Sequence, residues 1–419
     1  MNARDIEVHI DLFGGTRRVG LLRRAPRRDG ETVTFAYDDS WLKNPEGFSL
    51  EPALALTRGV FAPDRGLAMF GSIGDSAPDT WGRRLMQRAE RRQAEREGRA
   101  VRTLLEADYL LGVSDISRLG ALRFKRQGDT EFQAPARQGV PDMLELARLL
   151  QVTERVLRDE DTDDDLQMIF APGTSLGGAR PKASVADAQH RLAIAKFPKE
   201  TDDYSVEVWE HVALTLAHHA GIQVPEHRLV KVADKPVLLS WRFDRNAAER
   251  IPFLSALSMM GLKDGDRASY PELAEVLLQH GAKAASDTRE LYRRMVFNIL
   301  VSNVDDHLRN HGFLWSGARG WMLSPAYDLN PTPADVRRRI LTTRISLDDA
   351  TCDIELARSV AEYFGLALTE ADSIIREVAG ATSAWRDVAG QAGASKREIE
   401  RMVSAFEHDD LRRALATSQ

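Results

Sequence analysis

The run Asn303-Val304-Asp305-Asp306-His307-Leu308-Arg309-Asn310 follows an apolar helical stretch and leads into a short apolar strand. Asp305 and Asn310 stand five positions apart. A carboxylate can accept the proton of an attacking hydroxyl, while an amide oxygen a turn away can hold a divalent cation. Taken alone the pair reads more readily as a surface Asx turn, because a two-residue pattern arises by chance in a long chain. Asp306 competes with Asp305 as the base, but only Asp305 has the five-residue spacing. His307 reads as a structural hydrogen-bonder of the loop.

Working outward, a short strand over Trp321–Leu323 precedes Ser324-Pro325-Ala326-Tyr327-Asp328. Asp328 and Asn310 together offer two hard oxygen ligands of the kind magnesium takes. The competing reading of Asp328 is a cap before Pro331. Toward the N-terminus, Leu192-Ala193-Ile194-Ala195-Lys196 is an apolar strand ending in lysine, and Glu210 in the next helix is a candidate ion-pair partner for it. An edge-strand lysine kept for solubility is the alternative. Earlier still comes Thr174-Ser175-Leu176-Gly177-Gly178-Ala179-Arg180-Pro181-Lys182. Its glycines let the backbone approach a phosphate, successive N–H groups form an anion nest, and Lys182 adds charge. Pro181 offers no N–H, and the Walker spacing is absent. A glycine loop, a strand lysine, a helix glutamate, an Asp-x-x-x-x-Asn loop and a metal aspartate, in that order, are the parts of a protein kinase using ATP and Mg2+.

Composition fits that reading. The chain has 419 residues, and 57 basic against 63 acidic side chains leave a net charge of −6, which calls for neither nucleic acid nor a membrane surface. Cys352 is the one cysteine, so no internal disulfide forms, and a reducing, cytoplasmic setting is expected. No apolar run approaches the roughly 18 residues of a membrane span. His218-His219 lack the ligand spacing of a zinc site.

The expected fold is α+β, with a β-rich N-terminal part and a mostly helical C-terminal lobe. Val8, Ile10 and Leu12 alternate with polar residues before a turn at Gly14-Gly15, and strands follow at Val19–Leu21 and Thr32–Tyr37. A helix over about 79–99 carries Arg83, Arg84, Arg88, Arg91, Arg92, Arg96 and Arg99, read as a solvated face; the acidic run Asp159–Asp165 is read as exposed. Strands are expected at 182–186, 190–198, 228–232 and 237–243, with a helix over 207–220 ended by Gly221. Helices are expected at 270–280, 288–303, 352–364, 369–393 and 395–406, the fourth opened by Thr369 and Asp372.

The chain resembles the HipA family of serine/threonine-kinase toxins from bacterial toxin–antitoxin modules. The resemblance rests on Gly74-Asp75-Ser76-Ala77-Pro78-Asp79-Thr80-Trp81-Gly82-Arg83, Leu111-Gly112-Val113-Ser114-Asp115 and Gly120–Phe124. It extends through Ser175–Lys182, Ala195–Pro198, Glu210, Arg242-Phe243-Asp244-Arg245, Asp305–Asn310 and Tyr327-Asp328. It implies a two-lobed protein-kinase-like (HipA-like) fold, with an N-terminal subdomain over 1–135, an ATP-side lobe over 140–250 and a helical lobe over 251–419. It also implies Asp305 as catalytic aspartate and Asn310 and Asp328 as magnesium ligands. Lys196 becomes the phosphate lysine, and Ser175, Leu176, Gly177, Gly178, Ala179, Arg180 and Lys182 the ATP loop. Ser175 falls where the family autophosphorylates. Arg180-Pro181 stand where the best-known member has Gln-Glu. The implied partners are a helix-turn-helix antitoxin of the HipB type, operator DNA reached only through that antitoxin, and a protein substrate such as an aminoacyl-tRNA synthetase, with no membrane partner. A small-molecule kinase on the same core, and a non-catalytic component of an antitoxin–DNA complex, are the alternatives.

Overall fold

A computed structural model of the chain describes residues 5–27, 30–64, 66–133, 139–170, 178–247 and 249–416. It divides into two compact units. The first takes Met1–Lys199, Val232–Asp234 and Leu239–Lys263; the second takes Glu200–Lys231, Lys235–Leu238 and Asp264–Gln419. The expected boundaries at 135–140 and 250–251 both fall inside the first unit.

The first unit opens with an antiparallel sheet of Ile6–Leu12, Gly15–Arg27, Gly30–Tyr37 and Leu122–Arg126, in which the Ile6–Leu12 strand lies between the second and fourth. Strict alternation buries Ile6, Val8, Ile10 and Leu12 on one face. The turn sits one residue earlier than the double glycine suggests. Phe13 and Gly14 take positive φ, and Gly15 already pairs with Leu12.

The helix Thr80–Arg96 starts where Asp79 accepts from the Gly82 N–H at 2.8 Å. Its arginines are only partly a solvated face, and the acidic run is only partly exposed, Asp159, Glu160 and Asp164 being exposed. Arg88 pairs with Asp159 and Asp161, Arg92 with Asp161 at 3.1 Å and Arg96 with Asp163 at 2.8 Å. Asp161 and Asp165 are buried. Opposite charges some 70 positions apart in sequence cancel across packed helices, which linear charge counting cannot see.

Two stretches that carry the family resemblance are scaffold in this unit. Asp244 is fully buried and takes Arg242 in a fork, Nε–Oδ1 2.6 Å and Nη2–Oδ2 2.5 Å, while accepting the Gly120 N–H at 2.7 Å. Burial opposes its ionisation, but the facing Arg242 and Arg245 outweigh that and hold the carboxyl at about 2. Arg118, equally buried, donates to the carbonyls of Ser76, Leu110 and Val113, each at 2.9 Å. Burial pushes its guanidinium down to about 9.

The second unit is mostly helical. Ala284–Leu300 is its central helix, burying Leu291, Tyr292, Met295, Val296, Phe297, Ile299 and Leu300 against Tyr270–His280 and Leu368–Ser383. The long helix expected over 369–393 breaks at Ala384 into Leu368–Ser383 and Trp385–Gln391. It begins earlier than Thr369: the Ala367 N–H donates to Glu370 at 3.1 Å, so Glu370 rather than Asp372 closes the first turn. The break turns Trp385 onto Phe406, stacked at 4.7 Å, with Trp209 at 6.1 Å from Trp385.

Candidate active site

The central helix of the second unit stops short of the expected Asn303. Ser302 takes the left-handed conformation (φ 54°), and the Asn303 N–H turns back to the Asn298 carbonyl at 2.9 Å. Two bonds hold this costly backbone: Ser302 Oγ donates to Ala405 O at 2.8 Å and accepts from Arg339 Nε at 3.0 Å. The chain then enters the loop Val304–Asn310.

Within it the two adjacent aspartates point to opposite environments. The Asp305 side chain is 62% exposed, and its Oδ1 meets Arg337 Nη1 at 2.9 Å. Asp306 is buried; its Oδ2 accepts the Tyr270 hydroxyl, its Oδ1 lies 3.0 Å from His311 Nε2, and its carbonyl accepts Thr343 N and Oγ1 at 2.9 and 2.7 Å. An aspartate so tied cannot reach an acceptor.

Asn310 closes the loop. Its Nδ2 donates to the Asp305 carbonyl at 3.2 Å, and its N–H donates to His307 O at 2.7 Å. Its Oδ1 is buried without a hydrogen-bond partner among the described residues, as is His307 Nδ1. A buried acceptor left open in this way is costly, and an oxygen-seeking cation would satisfy it. Asp328 follows the short strand Trp321–Leu323 and takes a left-handed φ of 59°. The preceding Tyr327 ties this segment to the loop, its hydroxyl donating to the Arg309 carbonyl at 2.7 Å. The residue before Asp328 is thereby held to the residue before Asn310. The donor set, one carboxylate and one amide oxygen, is that of a magnesium site completed by water and substrate phosphates. Among the described residues no group of three or more His, Cys, Asp or Glu could hold a metal by itself.

The remaining candidates lie elsewhere. Glu210 is buried in the helix Val206–His219 of the second unit. Lys196 ends the strand Leu192–Lys196 in the first unit, directly opposite Lys182 on the strand Lys182–Ala186. Like charges facing one another need an anion. Lys182 has one, because its buried Nζ pairs with Asp79 Oδ2 at 2.8 Å. Lys182 Nζ is therefore paired with Asp79 within the first unit, close to Gly178 at the end of the candidate phosphate loop. Gly178 stands at φ +104°, and a Cβ there would come within 3.2 Å of Lys182 Nζ. Its carbonyl accepts from Trp81 N at 3.4 Å, and Trp81 Nε1 donates to Lys182 O at 3.1 Å. The Asp79–Trp81 stretch thus braces the end of the candidate phosphate loop. Ser175, Leu176 and Gly177 lie outside the described residues.

Sequence reading missed Asn298, Asn330, Tyr270 and Arg337. Asn298 did leave a signal: an amide inside the apolar run Met295–Val301.

Residues 174–385, half of the chain, match the HipA-like C-terminal domain, and residues 10–107 match the HipA N-terminal domain. The chain belongs to the HipA family. The HipA, HipB and operator DNA complex of the Shewanella oneidensis MR-1 toxin–antitoxin system contains a chain of the same fold, with a TM-score of 0.66 at 16% identity over 98% of this chain and 96% of that one. A putative kinase of Haemophilus influenzae is 28% identical over 180 residues, 37% of this chain and 52% of the relative. The putative kinase Y4dM of Sinorhizobium fredii is 32% identical over 155 residues, 33% of this chain and 37% of the relative. The HipA-family chain thus aligns with about half or less of these curated relatives. Among the described residues no helix is long and apolar enough to cross a membrane.

Proposed function

We propose that this chain is an ATP- and magnesium-dependent serine/threonine protein kinase acting as the toxin of a HipBA-like toxin–antitoxin module. One observation carries the reading. An exposed Asp305 carboxylate shares a loop with a buried Asn310 amide whose oxygen is open, and Tyr327 ties the Asp328 segment to that loop. Asp305 orients the acceptor hydroxyl and takes its proton as the oxygen bonds the γ-phosphorus and the bond to the ADP oxygen breaks. Asn310 and Asp328 would hold the cation, which when bound neutralises charge on the transferring phosphoryl. Lys196 serves the nucleotide phosphates, and backbone N–H groups of Ser175–Arg180 cradle them.

The acceptor class is a protein serine or threonine, with an aminoacyl-tRNA synthetase as the candidate target. A helix-turn-helix antitoxin of the HipB type is the candidate partner, and operator DNA is reached through it. Self-phosphorylation at Ser175 would end activity. A phosphate there claims the N–H groups that serve ATP and repels its phosphates.

Peptide mapping after incubation of the full chain with ATP and Mg2+ tests this. Wild type should carry phosphate on Ser175 and label a protein acceptor, while Asp305→Asn should do neither. Equal labelling of the two proteins would overturn the assignment.

A further inference from the structure

Behind the catalytic loop runs a chain of mostly buried amide and phenol hydrogen bonds within the second unit. The Asn330 N–H donates to Asn303 Oδ1 at 3.1 Å. Asn303 Nδ2 donates to Asn298 Oδ1 at 3.0 Å, and Asn298 Nδ2 donates to the Tyr270 hydroxyl at 2.9 Å. That hydroxyl donates to Asp306 Oδ2. Asn298, Asn303, Tyr270 and Asp306 are each at most 2% exposed. At its other end Asn330 Nδ2 donates to Asp328 Oδ1 at 3.2 Å.

Two features separate this array from ordinary core polarity. Every member of the main chain of bonds donates in the same direction, toward a carboxylate, so each bond polarises the next. Burial, and then the facing Asp306 carboxylate, push the Tyr270 phenol well above its usual range, so it stays a donor. The array also has a carboxylate at each end, and each belongs to a functional loop. Asp306 adjoins Asp305, and Asp328 is the candidate cation ligand. A second tie runs in parallel, since Thr332 N donates to Ser302 O at 3.1 Å and Thr332 Oγ1 donates to Asn330 O at 3.2 Å.

We propose that Asn303 is a positioning residue of the cation site: through Asn330 it fixes the Asp328 carboxylate relative to the catalytic loop, and Tyr270 anchors the far end of the same chain. This rests on the reading of Asn310 and Asp328 as cation ligands. Asn303 touches neither substrate nor metal. It acts by holding the residue that orients Asp328, as outer-shell partners do in metal sites.

The test is cation binding by the full chain, read from the free-Mn2+ signal in electron paramagnetic resonance with a non-hydrolysable ATP analogue present. Circular dichroism at the assay temperature confirms that each variant is folded. Asn303→Ala and Asn330→Ala should each weaken Mn2+ binding about 10- to 100-fold, the usual effect of losing an outer-shell partner. Tyr270→Phe should weaken it less, and the Tyr270→Phe/Asn303→Ala double variant should be no worse than Asn303→Ala alone, because one break already uncouples the chain. Saturating Mn2+ should restore phosphoryl transfer in Asn303→Ala, which a residue important only for folding would not allow. Should Asn303→Ala fail to fold, Asn330→Ala and Tyr270→Phe carry the test. Folded Asn303→Ala or Asn330→Ala protein binding Mn2+ as wild type does, while Asp328→Ala loses it, overturns this proposal and leaves the ligand assignment standing. Mn2+ binding that survives both Asp328→Ala and Asn310→Ala overturns the ligand assignment, and the proposal with it.

Discussion

Replacing Asp79 by asparagine isolates the buried ion pair that braces the end of the candidate phosphate loop. Asp79 Oδ1 caps the Thr80–Arg96 helix at 2.8 Å from Gly82 N, and Oδ2 meets Lys182 Nζ at 2.8 Å, with the two side chains 3% and 2% exposed. Asparagine keeps an oxygen for the cap, worth about 1 kcal/mol, but removes the counter-charge. Removing one charged partner of a buried ion pair costs up to about 3–5 kcal/mol. That is a large part of a typical stability of about 5–15 kcal/mol. Lys182→Met should cost less, near the lower end of that range, because the Asp79 carboxylate keeps the helix N-terminus as a favourable neighbour. The double variant Asp79→Asn/Lys182→Met buries no lone charge and should recover most of the loss, leaving about 1–2 kcal/mol. Urea unfolding by circular dichroism, paired with hydrogen exchange over the Thr80–Arg96 amides, reads both the size and the place of the effect. Single variants within about 0.5 kcal/mol of wild type, or a double variant whose cost equals the sum of the singles, would refute the reasoning. A Lys182→Met protein of unchanged stability that loses ATP affinity would show that Lys182 serves the nucleotide phosphates rather than the ion pair.

The adjacent aspartates give a second contrast: Asp305→Asn should change stability by less than about 0.5 kcal/mol, while Asp306→Asn, buried against Tyr270 and His311, should cost about 1–3 kcal/mol in the same urea assay. Glu51 gives a pH signature. Burial, partly offset by the Ser72 N–H, raises its carboxyl from 4.5 to about 7. The folded chain therefore holds a proton that the unfolded chain has released. The contribution is full below the unfolded value and is lost as pH rises to about 7, by about 3 kcal/mol. Stability of Glu51→Gln should lack this fall between about pH 5 and pH 8, and a slope matching wild type would contradict it.

What could be read from sequence divides along a physical line. Strands such as Ile6–Leu12 and helices such as Tyr270–His280 announce themselves, because alternation and capping residues act within a few positions. The Asp305–Asn310 spacing is legible for the same reason. The pairing of Asp159, Asp161 and Asp163 is not, because their arginine partners lie on a helix some 70 residues earlier. Nor is the role of Lys182, whose counter-ion stands 103 positions away. Glu370 in place of Asp372 is a smaller miss of a different kind. The helix begins one residue before the first residue with a capping side chain, and a backbone N–H of alanine takes the glutamate instead.

The five-residue spacing singles out Asp305 over Asp306, but local pattern does not show the opposite environments that decide what the loop can do. Asp305 meets Arg337 where both side chains are at least half exposed. Such a pair contributes about 0.2–1 kcal/mol, enough to orient a carboxylate and too little to withhold it from a hydroxyl. Asp306 is held by a phenol, an imidazole contact and two donors to its carbonyl, all in the interior, so its position is fixed while its reactivity is spent. The rigid aspartate anchors the loop and its neighbour projects from it. A single aspartate could not do both, since burial deep enough to fix the backbone would remove the carboxylate from the acceptor. The loop therefore needs two adjacent side chains of the same chemistry in opposite environments, and exchanging the environments would remove the exposed base even though the local sequence stayed the same.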